Sequence, residues 1–231
     1  MVLTLNTRFS PSLNGSLHLG HMAMAWINRT YAHMHGGEFI LRFDDVAPRV
    51  AGEDVTQMSQ WASEAEEFLR LAGLAPDRIS YLSNFAEPDE SFLELAGGRN
   101  LWYRASDLEG HFNLACCPPL VQVRVRADIA ECIGIVIRGE ELLAELQLYE
   151  YFNSLLGGET RELVFLPRLR VRHGDEVSTI SKTVGNLQLR DLFEIDSPEN
   201  WLERVRCAVL LNQTKPLAWH NLNPDPIIQI M

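Results

Sequence analysis

The stretch from Thr7 to His21, T-R-F-S-P-S-L-N-G-S-L-H-L-G-H, constrains this chain more than any other. Residues 3–9 alternate in the manner of a strand, and Pro11, Asn14 and Gly15 form a turn cluster. Residues 18–33 are apolar at helical spacing, and Gly36-Gly37 stops the helix. Residues 38–43, E-F-I-L-R-F, form a short apolar run of the kind buried in a parallel sheet. Strand, helix and second strand make a βαβ unit with a right-handed crossover. Ligands of open parallel sheets bind beyond the carboxyl ends of the strands, where a glycine-containing turn opening a helix presents N–H groups and the positive dipole end. His18 and His21 share one helical face, and Gly20 allows close approach to the backbone. A nucleoside triphosphate suits these pieces together. Taken singly, each has a plainer use: a histidine at a helix start serves as a cap or packs, and a glycine turns the chain.

The rest of the chain extends the same pattern. Residues 53–72 place Val55, Met58, Trp61, Ala65, Phe68 and Leu71 near helical spacing. Residues 79–82 read as a third strand, 120–126 (L-V-Q-V-R-V-R) as a half-exposed alternating strand, and 133–138 as a buried one. Helices are expected at 140–156, 188–194 and 199–211, a further strand region at 163–172, and a polar loop at 173–186. No element is evident after Pro216. Alternating strands and helices predict an α/β fold around a mostly parallel sheet. Its expected division is a first catalytic half over 1–83, an insertion over 84–119, a second half over 120–175, and a loop with a small helical region over 176–231.

Composition narrows the function classes. With 231 residues and 46% hydrophobic content the chain has the means to build a core, and no apolar run approaches the roughly 20 residues of a membrane span. The N-terminus shows no secretory pattern, so a cytoplasmic enzyme without membrane contact is expected. The four cysteines, Cys116, Cys117, Cys132 and Cys207, lack C-x-x-C spacing, and no structural zinc or other protein-held metal is expected. A net charge of −11 lowers the expectation of a nucleic-acid partner without excluding a local basic patch.

The ordered motifs resemble the catalytic domain of class I aminoacyl-tRNA synthetases, specifically the glutamyl/glutaminyl branch. His18-Leu19-Gly20-His21 resembles the HIGH signature, and the string from Arg8 to His21 resembles its glutamyl/glutaminyl form. G-E-F-I-L-R-F-D-D at 37–45 resembles the second strand, V-I-R-G-E-E-L at 136–142 a third block, and Thr179-Ile180-Ser181-Lys182-Thr183 the KMSKS loop. The resemblance implies a Rossmann-like sheet and attack of a substrate carboxylate on the α-phosphate of ATP, with Mg2+ held through the phosphates. His18, His21 and Lys182 would be catalytic. Ser10, Pro11, Gly20, Arg138, Glu140, Glu141, Leu142, Ile180 and Ser181 would join them in holding ATP. Arg8, Ser10, Ser12, Asp44, Leu120 and Arg138 fall where the family holds its acid. There Arg8 and Arg138 would bind carboxylates and Asp44 an α-ammonium group; a solvated strand-end role for Asp44 and Asp45 is the plainer alternative, as an ordinary loop lysine is for Lys182.

Several residues depart from the family pattern. Thr179 stands at the signature's first lysine, Leu120 at a substrate-contacting tyrosine, and Val46-Ala47 at a Thr-Asp or Thr-Asn pair. The insertion over 84–119 is short, and no anticodon-binding domain is expected. The resemblance is therefore to a truncated synthetase-like paralogue that activates glutamate or a related carboxylic acid without conventional tRNA charging. Its acyl acceptor would be a small molecule, a carrier protein or an RNA. Two alternatives stand beside it: a short paralogue transferring glutamate to tRNA or a modified tRNA base, and a non-catalytic nucleotide-binding regulator.

Overall fold

The computed structural model describes residues 5–50, 53–85, 119–159, 161–173, 175–179, 188–210 and 222–230. The first βαβ unit runs from β1 (Thr7–Phe9) through α1 (Leu19–Met34) to β2 (Phe39–Phe43). β1 and β2 pair in parallel, Arg8 beside Ile40. The α1–β2 connection is tight because Gly36 takes φ +67°, a left-handed conformation that glycine adopts without penalty. Gly37 then passes so close to the residues leading into β1 that a Cβ there would collide with the Leu5 carbonyl oxygen.

A short helix, α2 (Ala47–Val50), and α3 (Met58–Leu71) lead to β3 (Arg78–Tyr81), which pairs in parallel with β2. After the 3-10 turn Leu82–Phe85, the described chain resumes at α4 (Pro119–Ala130) and enters β4 (Ile135–Gly139). A second 3-10 turn (Glu140–Glu145) and α5 (Leu146–Leu155) carry it to β5 (Glu162–Leu166), parallel to β4. Asn6 forms a parallel bridge with Ile133, and the Gly134 N–H donates to the Asn6 carbonyl at 3.0 Å. The two ladders therefore join in the order β3-β2-β1-β4-β5, which reverses direction between β1 and β4. A smaller sheet combines β6 (Arg170–His173), antiparallel β7 (Glu176–Thr179) and parallel β8 (Ile227–Ile230), with α6 (Leu189–Ile195) and α7 (Pro198–Val209) between β7 and β8 in the chain.

Strand alternation divides the core into two layers. Phe39, Leu41 and Phe43 of β2 join Ile135 and Ile137 of β4 in packing against α1, α3, α6 and α7. Ile40 and Val136 point the other way, onto Val121 and Val125 of α4 and Leu148, Tyr149 and Phe152 of α5. That second layer also buries charge. Arg8 grips Asp128 with two donors, Nε at 3.0 Å and Nη2 at 3.2 Å. Arg42 donates to Asp128 at 2.6 Å and through Nε to Glu131 at 2.8 Å, while the Tyr149 hydroxyl donates to Asp128 at 2.8 Å.

Most expected elements are present, with differences. Residues 120–126 are helical, not a strand. Alternating valines favour strands locally, but in α4 Val121 and Val125 fall one turn apart on the apolar layer, and Arg124, Asp128 and Glu131 recur at i, i+4 and i+7 to meet buried partners. The helix expected over 140–156 splits into the 3-10 turn and α5. α3 starts only at Met58, which leaves Val55 exposed before it, and Leu71 is exposed at its end. β8 gives the tail after Pro216 a strand whose partner, β6, lies far upstream. The expected helical C-terminal region thus holds α6 and α7 together with β7 and β8.

Two consequences are measurable. Asp128→Ala would leave Arg8 and Arg42 buried without their shared carboxylate and should destabilise the fold by about 3–5 kcal/mol in urea titration. Burial alone would raise the Asp128 and Glu145 carboxyls, yet Arg8 and Arg42 hold the first below the usual carboxylate range and Arg124 and Arg138 hold the second there. The folded state thus binds fewer acid protons than the unfolded one. Stability from these groups is complete above the ordinary carboxylate pKa of about 4 and is lost as pH falls below it. Urea midpoints measured from pH 7 down to pH 3 should fall, and the fall should flatten in Asp128→Ala.

Candidate active site

At the reversal between β1 and β4 the carboxyl ends of both strands open on a cavity of about 510 Å³. This is the position at which doubly wound sheets bind ligands, and the volume lies within the usual range for small-molecule sites. Arg8 and Phe9 enter its wall from β1, Ile137 and Arg138 from β4, and Arg42 from β2. Ser10, Pro11 and Ser12 follow β1 directly, and the turn they begin is pinned to the end of β2. The Asp44 N–H donates to the Pro11 carbonyl at 3.0 Å, and the Leu13 N–H donates to the Asp44 carbonyl at 3.1 Å.

The histidines form the cap of α1. His18 Nδ1 accepts the Gly20 N–H at 3.1 Å, and His21 Nδ1 accepts the His18 N–H at 3.2 Å. They make a reciprocal capping box from imidazoles in place of the usual hydroxyl and carboxamide. The rings stack 3.8 Å apart at 19°. A backbone N–H only donates, so each Nδ1 must carry a lone pair, and each neutral ring bears its proton on Nε2. Gly20 serves this cap: a Cβ there would lie 3.0 Å from the His18 ring. The space reserved by the glycine is thus filled by the chain's own imidazole.

The opposite wall is a buried ionic bridge. Asp44 directs Oδ1 at the Val46 and Ala47 N–H groups, 3.3 and 2.9 Å away, and receives Arg124 Nη2 on Oδ2 at 2.8 Å. Arg124 Nη1 donates to both Glu145 oxygens at 3.1 Å, and Arg138 Nη1 meets the same carboxylate at 3.2 Å. Burial disfavours the charge on Arg124, but Glu145 and Asp44 outweigh it and raise its pKa. Arg138 differs. Its pKa is lowered to about 10, chiefly by burial, with Glu145 opposing and the adjacent Arg124 and Arg8 adding to the fall. It stays protonated near neutrality, with Glu145 and Asp128 on one side of the balance and Arg124 and Arg8 on the other.

Of the residues selected from sequence, Arg8, Ser10, Pro11, Ser12, His18 and Gly20 surround this cavity, as do His21, Asp44, Arg138 and Leu142. Leu120, half-buried in the first turn of α4, lies off the lining. Glu140 is also off it and accepts the Arg168 N–H at 3.3 Å. The Glu141 side chain and all of Ile180, Ser181 and Lys182 are outside the described residues. Sequence reasoning missed Arg124 and Glu145. The Arg124/Asp128/Glu131 spacing carried the signal for α4, but it is visible only once that segment is taken as a helix. Among the described residues no cluster of three or more His, Cys, Asp or Glu is placed to hold a metal, and no helix is long and apolar enough to cross a membrane.

Comparison with known proteins agrees with this architecture. Residues 4–86 match the family described as tRNA synthetases class I (E and Q), catalytic domain. The glutamate–tRNA ligase of Pyrococcus horikoshii is 40% identical over 159 residues, and that of Pyrococcus furiosus 31% over 159 residues. Each alignment covers 68% of this chain and 24% of the relative, so the matched region spans about a quarter of those curated relatives. The fold matches a glutamate–tRNA synthetase of Elizabethkingia anophelis with TM-score 0.67 at 15% identity, covering 99% of this chain and 68% of that one. It also matches a tyrosyl-tRNA synthetase of Archaeoglobus fulgidus crystallised with L-tyrosine, with TM-score 0.58 at 16% identity, covering 79% and 60%. The chain is therefore similar over residues 4–86 to the class I synthetase catalytic domain of the glutamyl/glutaminyl kind, and over 159 residues to part of the glutamate–tRNA ligases.

The tautomer assignment has a direct test. Long-range proton–nitrogen spectra should show both His18 and His21 protonated on Nε2 at neutral pH. Gly20→Ala should move the His18 resonances by crowding its ring; an Nδ1-protonated His18 would contradict the cap.

Proposed function

We propose that this domain activates a carboxylic acid with ATP. A carboxylate oxygen of the acid attacks the α-phosphorus, the bond from that phosphorus to the bridging oxygen of the β-phosphate breaks, and pyrophosphate leaves with the bonding pair. The product is a mixed anhydride, the acyl-adenylate. The observation that supports this reading most is the imidazole-capped start of α1 on the wall of a cavity at the β1–β4 reversal. Two Nε2–H donors and the dipole end of α1 suit the charge that develops on phosphate oxygens. They are held in place before the nucleotide arrives, so they need little reorganisation in the transition state. Mg2+ would enter with the nucleotide and neutralise its phosphates.

Lys182 would take the leaving group. It comes before, in sequence, the point where the chain docks on the α1 turn. Gln188 bridges His18, and the Leu189 N–H donates to the Leu17 carbonyl at 2.8 Å. Lys182 stands six residues before Gln188, a length that spans at most roughly 20 Å. That is enough chain for the Lys182 ammonium group to reach the α1 cap. Arg8 and Arg138 would orient the acid by charge-assisted hydrogen bonds, and Leu142 would flank the nucleotide.

ATP–pyrophosphate exchange over a panel of amino and carboxylic acids tests the reaction. Exchange with at least one acid is expected. Lys182→Ala should lose roughly 10²–10³-fold of it while titration calorimetry still records ATP binding. Absence of both exchange and ATP binding would overturn the proposal. Transfer onto tRNA would follow from activation and is scored separately, by adding tRNA to an active reaction.

A further inference from the structure

Arg124 lines the cavity and pairs there with Asp44, the carboxylate that a substrate amino group would need. The inference rests on the activation reading above and concerns which acid that pocket accepts. An α-amino acid brings a carboxylate to react and an ammonium group that needs a carboxylate partner when desolvated. Asp44 is the only carboxylate that the described residues contribute to the wall. Both of its oxygens are committed: Oδ1 to the Val46 and Ala47 N–H groups, Oδ2 to Arg124 Nη2 at 2.8 Å. Arg124 is itself anchored from behind by both oxygens of Glu145. The guanidinium is therefore a fixture of the wall, and an incoming ammonium group would have to share Asp44 with it.

The cations of the wall point the same way. Beside Asp44 the wall carries Arg8, Arg42, Arg124, Arg138 and Arg168. Arg8 and Arg42 are answered by Asp128 of α4 and by Glu131 just past its end, and Arg124 and Arg138 by Asp44 and Glu145. An added cation would compete with these guanidinium groups for carboxylates already in use, whereas an added anion could accept hydrogen bonds from them.

We propose that Arg124 takes the place of the substrate's α-ammonium group on Asp44, so that the site selects a short dicarboxylic acid without an α-amino group. One carboxylate of such an acid would react with ATP, and the other would pair with the arginines of the wall.

Glutarate and L-glutamate test this cleanly, because they share chain length and both carboxylates and differ in the α-ammonium group. Binding of each to the full chain is measured by calorimetry with a non-hydrolysable ATP analogue present, and each is also assayed in pyrophosphate exchange. Glutarate should bind about tenfold or more tightly than L-glutamate. Arg124→Gln should reverse or erase that ratio by freeing Asp44, and Arg124→Lys, which keeps the cation, should retain it. L-Glutamate binding as well as or better than glutarate overturns the inference, as does failure of both acids to bind. So does a folded Arg124→Gln protein with an unchanged ratio. If Arg124→Gln does not fold, the wild-type ratio together with Arg124→Lys decides. Exchange with some other acid in any of these cases leaves the activation reading standing; loss of all exchange and of ATP binding removes that reading as well.

Discussion

The row of charges on α4 is the constraint on which the rest of the molecule depends. Asp128 is fully buried, and a lone carboxylate there would be prohibitive. It is tolerated because β1 and β2 each send one arginine to the face that α4 covers, and because Tyr149 of α5 satisfies the same group. The bond set fixes how α4 lies across the sheet. One turn earlier, Arg124 faces the cavity and reaches Asp44; one turn later, Glu131 ties Arg42 and Arg78. The helix that secures the back of the sheet thereby sets the electrostatics of the site in front.

A network of this kind is not a simple gain in stability. Removing charge from water is costly, and apolar residues of similar shape often do as well. What it supplies here is geometry. Arg8, Arg124 and Arg138 lose most of their rotational freedom in ion pairs before any ligand binds. The pocket is therefore preorganised, with its cations aimed and the entropic cost of ordering them already met on folding.

The two sides of the cavity follow different logic. The α1 side is local: the imidazole cap, the glycine beside it and the turn that feeds them lie within a few residues of one another. The α4 side is assembled from β2, α4, β4 and the turn after β4. Arg124 pairs with a carboxylate 80 residues upstream and another 21 downstream. A side that is local and a side that is distributed can vary separately, since exchanging one residue of α4 alters the charged wall of the cavity without touching the cap.

Sequence by itself was enough to determine the βαβ unit, the turn from Ser10 to Leu17, the start of α1 at the histidines, the parallel character of β2 and the burial of β4. Those features rest on hydrophobic periodicity, turn chemistry and capping, which act over a few residues. Tertiary structure alone decided that 120–126 is a helix, that β8 exists, and that Asp44 is bridged by Arg124. A valine-rich alternating segment is locally a good strand. It becomes helical because only i, i+4, i+7 spacing brings Arg124, Asp128 and Glu131 to partners on other elements, and unpaired burial of those charges would be far more costly than any local propensity.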